Sequence, residues 1–310
     1  MRVLLTGAAG FAGSHIADEI VRNTDWHIVA VDCLTYAGHM KNLELVPPDR
    51  MTFIQHDFAQ PLPLDKIGHV DYIVHNGAET HVTNSLFAPE PFIQSNVVGT
   101  YNLLEAAREL KPKKFLYTST DEVFGASLVP HKENDVLCPS NPYSATKAAG
   151  EMLVKAYQKC YEIPCIITRT TNMFGKRQHE EKFVPMTIRK IRDGVPVTVH
   201  ADADGNVGSR QWIHVSDQAA AILFLLQSDF VQETFHIAGE RYDNGAVVAM
   251  LLRHLRHPPG PSGYSYSGIL ENAYEQFPGH DLHYALDDSK IRAAGWTPRM
   301  TFEEGIRATL

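Results

Sequence analysis

Between residues 119 and 147 the chain carries a run of groups able to move protons and hydride. Ser119-Thr120-Asp121-Glu122 offers two hydroxyls and two carboxyls, and Tyr143-Ser144-Ala145-Thr146-Lys147 offers a phenol and an ammonium. The i, i+4 spacing of Tyr143 and Lys147 puts both side chains on one face of a helix. An ammonium beside a phenol stabilises phenolate, so the phenol is expected to titrate below its usual value of about 10. Such a tyrosine takes a proton from a substrate alcohol while hydride leaves the same carbon. Thr120 can hydrogen-bond that alcohol. The two adjacent acids add a second proton-transfer capacity, beyond what alcohol oxidation alone requires.

For these groups to meet one substrate, something must align them. Residues 2–6 read as a short apolar strand, followed by Gly7-Ala8-Ala9-Gly10-Phe11-Ala12-Gly13 and then a helix over 14–22 with Ile16, Ile20 and Val21 at helical spacing. A strand, a glycine turn and a helix in this order form a dinucleotide cradle. Gly7 permits the tight turn, Gly10 lets the backbone approach a pyrophosphate, and Gly13 lets the helix pack close to the strand. The spacing is G-x-x-G-x-x-G. A second strand, 27–31, ends in Asp32 about twenty residues beyond the turn, where a carboxylate can accept both hydroxyls of an adenosine ribose and repel a 2′-phosphate. NAD is therefore the expected cofactor.

Further strands are expected at 51–56, 70–75 and 115–119, with a long helix over 90–110 whose Phe92, Val97, Tyr101, Leu104 and Ala107 share one side. Asp57-Phe58 comes after the third strand and can lie beside the adenine. Asn76 and Ala78, after the fourth, let the cofactor approach the backbone. Alternating strands and helices imply an α/β fold, a Rossmann-type doubly wound parallel sheet whose ligand crevice lies at the carboxyl edge. Thr120, Asp121 and Glu122 fall on that edge, ahead of the helix opened by Tyr143.

Composition narrows the class. The 310 residues carry a formal net charge of -8, which argues against a nucleic-acid binder. The cysteines, Cys33, Cys138, Cys160 and Cys165, form no C-x-x-C pair, no His/Cys set has zinc spacing, and buried reduced thiols are expected. No metal site is expected among the 16 histidines; His254 and His257 have helical spacing without an acid nearby in sequence. The amino terminus lacks a signal-like segment and no run of about 18 apolar residues occurs, so a soluble cytoplasmic protein with no membrane contact is expected.

Taken together, the glycine turn, the strand ending in Ser/Thr and Tyr143-x-x-x-Lys147 resemble the extended short-chain dehydrogenase/reductases almost end to end. Thr120-Asp121-Glu122-Val123-Phe124-Gly125 resembles the T-D-E-V-Y/F-G segment of the nucleotide-sugar 4,6-dehydratases within that family. The resemblance implies oxidation at sugar C4, proton removal from C5 by Glu122, protonation of the departing C6 hydroxyl by Asp121, and return of hydride to C6. A nucleotide-sugar 4-epimerase, which needs only the Tyr, Lys and Ser/Thr set, is the alternative.

Other segments match the same family. They are Asp32–Gly38, Ala78-Glu79-Thr80-His81-Val82, Asn96-Val-Val-Gly-Thr-Tyr, Arg169–Gly175, Glu181-Lys182-Phe183-Val184-Pro185, Arg210-x-Trp212-x-x-Val215-x-Asp217 and Pro278-Gly-His280-Asp281. By resemblance, Thr80, His81, Asn96, Asn172, Lys182, His200, Arg210 and His280 hold the substrate. Asn172 and Arg210 would reach its diphosphate, and His200 its base; a guanidinium suits phosphate oxygens. Departures stand at Thr83-Asn84, where the family usually has D-R, at Phe277, where it has Arg, and in the longer acidic loop 200–210. The resemblance also implies a nucleotide-binding domain of 1–173 rejoined by 211–239, a smaller C-terminal substrate lobe of 174–210 and 240–310, and a homodimer through the helices at 90–110 and 143–160.

Overall fold

The structure, a computed structural model, describes residues 1–201, 204–255, 269–272 (backbone only) and 281–310. The first half alternates strand and helix. In chain order come β1 (Arg2–Thr6), α1 (Phe11–Asn23), β2 (His27–Asp32), β3 (Met51–Gln55), α2 (Leu64–Ile67), β4 (Tyr72–His75), α3 (Val82–Phe87), α4 (Glu90–Ile93), α5 (Gly99–Leu110), β5 (Lys114–Thr120), α6 (Pro142–Tyr161) and β6 (Cys165–Thr170). The second half holds β7 (Asn172–Phe174), α7 (Phe183–Arg192), β8 (Thr198–Ala201), β9 (Ser209–His214), α8 (Val215–Gln227), β10 (Glu233–Ile237), β11 (Glu240–Asp243), α9 (Asn244–Leu255), β12 (Ile269–Asn272), α10 (Ser289–Ala293) and α11 (Phe302–Thr309).

Seven strands make one sheet in the order β10-β6-β5-β4-β1-β2-β3. Every pairing in it is parallel. Alternate residues of β1 serve opposite faces, as a pleated strand requires. Val3 and Leu5 join Ile16, Ile20, Ile222 and Leu226 under α1 and α8, while Leu4 joins Leu103, Leu104, Phe115 and Val154 under α5 and α6. The register aligns Thr6 with His75, His75 with Tyr117, and Thr120 with Thr170, so the strand ends form one edge.

The smaller lobe has a three-stranded sheet, β11-β9-β7, and a two-stranded one, β12-β8. Its core gathers Phe174, Val184, Ile188, Trp212, Val248, Phe302 and Ile306. Packing differs from the sequence-based division in two places. Residues 211–214, expected in the nucleotide-binding domain, pair with β7 and β11 in the lobe, and Ile291 and Trp296 rejoin the nucleotide-fold core.

The helix expected over 90–110 is interrupted by a π turn, Gln94–Val98. The extra residue rotates the helix beyond it: Asn96 and Thr100 are buried, while Tyr101 is 47% exposed. Two polar residues face inward because partners wait there. Asn96 clamps the backbone of Glu79, and Thr100 Oγ1 lies 3.0 Å from His75 Nε2.

Candidate active site

Thr120 ends β5 and caps a 3₁₀ turn, Asp121–Phe124, its Oγ1 accepting the Glu122 N–H at 3.3 Å. The same hydroxyl donates to Asp121 Oδ1 at 3.1 Å and hydrogen-bonds the Tyr143 phenol. Gly125 closes the turn at φ +74, where a Cβ would stand 2.5 Å from the Cys138 carbonyl oxygen. Beneath it, Val123 and Phe124 pack with Ala148, Ala238 and Leu286. Phe124 also lies under the guanidinium of Arg169, 4.7 Å away. Arg169 and Glu151, both fully buried, form a two-pronged ion pair with contacts of 2.7 and 3.0 Å, tying β6 to α6 below the turn.

The first turn of α6 sets the phenol. Asn141 caps the helix, accepting the Ser144 N–H at 2.9 Å, in a reciprocal capping box. Its side chain also hydrogen-bonds the Glu122 carboxylate. The buried Ser85 accepts the Tyr143 N–H at 3.2 Å. One turn on, Lys147 donates to the Thr118 carbonyl at 2.7 Å and sits 4.3 Å over the Tyr117 ring. Sequence reasoning singles out neither Asn141 nor Ser85, although Asn141-Pro-Tyr-Ser144 has the form of a helix start.

Burial governs the charges. Asp121, 4% exposed, is pushed up to about 7 by desolvation and then by Glu122, and its Oδ2 has no hydrogen-bond partner among the described residues. Glu122, half-buried on the crevice wall, is also raised by desolvation, opposed by Arg210 and Lys182. Lys147 is lowered to about 7 by burial. Tyr143 corrects a sequence expectation. Desolvation and then the Glu122 charge hold its phenol well above its ordinary value, while Lys147 Nζ donates to the Thr118 carbonyl. The site therefore brings together an acid held up to about 7, a second carboxyl raised by burial and a phenol raised by burial.

Beside this set lies the glycine turn. Gly7 has φ +64, and a Cβ there would stand 2.6 Å from Gly77 Cα; one on Gly13 would strike the Gly7 carbonyl at 2.0 Å. Gly10 begins α1 with no side-chain cap, leaving the first N–H groups of a 13-residue helix open to an anion. Phe11, the first residue of that helix, is edge-on to His15. Asp32 accepts Ala9 N–H at 2.9 Å and Leu34 N–H at 2.8 Å, one per oxygen, which leaves lone pairs for two hydroxyls. Asn76 and Ala78 are half-buried at the end of β4, and Asp57 is exposed. Phe58 departs from expectation. Its ring is wedged between Gly77 and Gly99 and edge-on to His75, so it belongs to the core.

The substrate-side residues divide. Thr80 is exposed and its carbonyl accepts Lys182 Nζ at 3.0 Å. His81 caps α3 and stands 4.0 Å from Glu181. Asn172 opens β7 half-buried, and His200 lies half-buried on β8. Arg210 donates to the carbonyls of Ser209, Leu282 and Asp281 at 2.7–2.9 Å and covers Tyr284 at 4.6 Å. That leaves two of its five N–H groups for a ligand. Asn96 is corrected from substrate contact to buried clamp: 1% exposed, it spends its amide on Glu79 and Thr146. His280 and Phe277 lie outside the described residues, as does His257. His254 does have an acid, Glu303 at 3.1 Å, brought from far along the chain. Among the described residues no group of three metal-ligating side chains occurs. Of the four thiols only Cys165 is buried; Cys138 and Cys160 are exposed and Cys33 is half-buried.

Comparison with known proteins places these features in context. The sequence pattern of the "NAD dependent epimerase/dehydratase family" matches residues 3–238. The low-salt glycan biosynthesis protein Agl12 of Haloferax volcanii is 38% identical over 99% of this chain and 97% of its own length. The dTDP-glucose 4,6-dehydratase of Neisseria meningitidis serogroup B is 37% identical over 100% of this chain and 92% of its own. A crystal structure of the Streptomyces venezuelae dTDP-glucose 4,6-dehydratase with NAD and TYD bound superposes with a TM-score of 0.89 at 32% identity, covering 100% of this chain and 95% of that one.

Proposed function

The chain belongs to the NAD dependent epimerase/dehydratase family, and on that premise we propose that it is an NAD-dependent nucleotide-sugar 4,6-dehydratase. It converts a nucleotide-diphosphate hexose to the 4-keto-6-deoxy form. The observation that carries this reading is the pair of carboxyl groups at the turn after β5, one of them held up to about 7 and so able to donate a proton at neutral pH. A 4-epimerase has no step for two such acids.

NAD fits the backbone of Gly7, Gly10, Phe11 and Gly13, the Asp32 carboxylate, the Asp57-Phe58 backbone, Asn76 and Ala78, with Tyr143 and Lys147 at its reactive end. When bound it supplies the hydride acceptor, and later the hydride donor, over the sugar. Thr120 would position the C4 hydroxyl, and Tyr143 would take its proton as a phenolate, a form that the positive nicotinamide charge of bound NAD would favour. The resulting ketone acidifies the C5 hydrogen, which Glu122 removes. Asp121 protonates the C6 hydroxyl as it leaves as water. Lys182, Arg210, Asn172, Thr80, His81, His200 and His280 are the proposed substrate side. Arg210 faces the carboxyl pair, so an anionic diphosphate held there also tempers the charge around Glu122.

We place the enzyme in the cytoplasm as a homodimer; among the described residues no helix is long and apolar enough to cross a membrane. Incubating the NAD-loaded protein with a panel of nucleotide hexoses tests the activity. Loss of one water from the sugar by mass spectrometry supports it, whereas a product of unchanged mass and altered retention favours 4-epimerisation.

A further inference from the structure

Tyr284 and Asp281 have no part in the chemistry above, yet they reach Glu122 from behind. Tyr284, 4% exposed, places its Oη 3.4 Å from Glu122 Oε2 and 2.8 Å from Asp281 Oδ2. Asp281 is 8% exposed, and the same Oδ2 accepts a hydrogen bond from Ser140 Oγ. Ser140 is exposed to solvent. The chain Glu122–Tyr284–Asp281–Ser140 thus runs from the crevice wall to the surface.

We propose that Tyr284 and Asp281 form a proton relay linking Glu122 to solvent at Ser140. Their placement is enforced. Arg210 covers the Tyr284 ring and holds the carbonyls of Asp281 and Leu282. Gln211 Oε1 accepts the Leu286 N–H at 2.7 Å, and Ser209 Oγ lies 2.9 Å from His283 Nδ1, so β9 fixes the segment from several sides. The charged groups facing Glu122 are Arg210, Lys182, Asp121 and Asp281, so a proton resting on it stands between two acids and two bases.

The relay rests on the dehydratase reading. As the C5–H bond breaks, its electron pair stays with carbon and moves toward C6 while the C6 oxygen departs with the Asp121 proton. The C5 proton is now on Glu122, and bound sugar covers the crevice. Glu122 O–H then donates to Tyr284 Oη as the Tyr284 hydrogen passes to Asp281, which releases it to water beside Ser140. Run backwards, the same steps bring a solvent proton to Glu122 and on to C5 once hydride has reached C6. Each transfer returns tyrosine to its neutral form, so no phenolate is stranded in the core.

The test tracks a deuterium placed at C5 of the nucleotide hexose, using NAD-loaded protein in ordinary water. Wild-type product should carry solvent hydrogen at C5. Tyr284→Phe keeps the ring beneath Arg210 and removes only the hydroxyl; its product should retain most of the deuterium. Asp281→Asn, which leaves the backbone carbonyl on Arg210, should do the same and decides the matter if Tyr284→Phe fails to fold. A purely structural role would slow turnover without changing the label. Wild-type loss of label in both folded variants refutes the relay, while absence of dehydrated product from wild-type protein refutes the dehydratase reading beneath it.

Discussion

Asp121 and Glu122 are neighbours in sequence with different surroundings, and that difference suits the roles proposed for them. Asp121 is sealed, with one oxygen on Thr120 and the other without a partner among the described residues, so its neutral form is favoured. Glu122 is also raised by desolvation, but it is only half-buried, and Arg210, Lys182 and the Asn141 hydrogen bond pull it back toward the carboxylate form that a base needs. A general acid near 7 loses its proton as pH rises, so turnover should fall above neutrality. The same group affects stability. Its folded value lies above the unfolded one, so its contribution is fully present at acid pH, falls as pH rises from about 4, and is gone above about 7. Asp121→Asn should therefore unfold at a higher temperature than wild type at pH 8, with the gap narrowing toward pH 4; an equal gap at both would refute the burial account. Tyr143→Phe should lower turnover by about 10²–10⁴-fold while NAD content, read by extraction, stays unchanged.

Single elements connect stability to chemistry most directly at the start of α6. Asn141 both caps the helix and holds Glu122. Asn141→Ser keeps a capping oxygen and should unfold near the wild-type temperature, yet turn over more slowly. Asn141→Ala should lose in addition about 1 kcal/mol of stability, measured by chemical denaturation. If both variants matched wild type in activity and stability, neither role would stand. This element also shows what a sequence can reveal. Thr120, Tyr143 and Lys147 are legible because strand, turn and helix periodicities are local. The π turn in the 90–110 helix is not, since Asn96 turns inward to meet Glu79 and Thr146, partners brought by the preceding loop and by α6. Likewise, spacing to Lys147 alone points to an acidic Tyr143 phenol. Helical spacing says who shares a face, but the depth of that face under Thr118 and Tyr117 decides the charge. Tyr284 and Asp281 are invisible in the sequence as partners of Glu122 because only contacts with β9 and the loop after β5, far away in the chain, bring them back across the sheet edge.

At the scale of the molecule, the sheet order and the glycine turn orient the cofactor, and the lobe supplies the returning segment that completes the acid pair's surroundings. One group of exposed apolar side chains lies on α5, α6 and the turns before them. Ile93, Tyr101, Met152 and Tyr161 are each 47–48% exposed. Arg108 covers only the Tyr161 ring, at 4.1 Å. The π turn creates part of this patch, because the rotation that buries Asn96 also sends Tyr101 outward. Two copies meeting through α5 and α6 would cover it with a helical bundle, and the same turn would then serve both the site and the interface. Size-exclusion chromatography with light scattering at micromolar protein should give twice the monomer mass. Tyr101→Glu with Met152→Glu should give the monomer, because burying two charges against apolar neighbours costs several kcal/mol. A monomeric wild type would leave the π turn with its inward role alone.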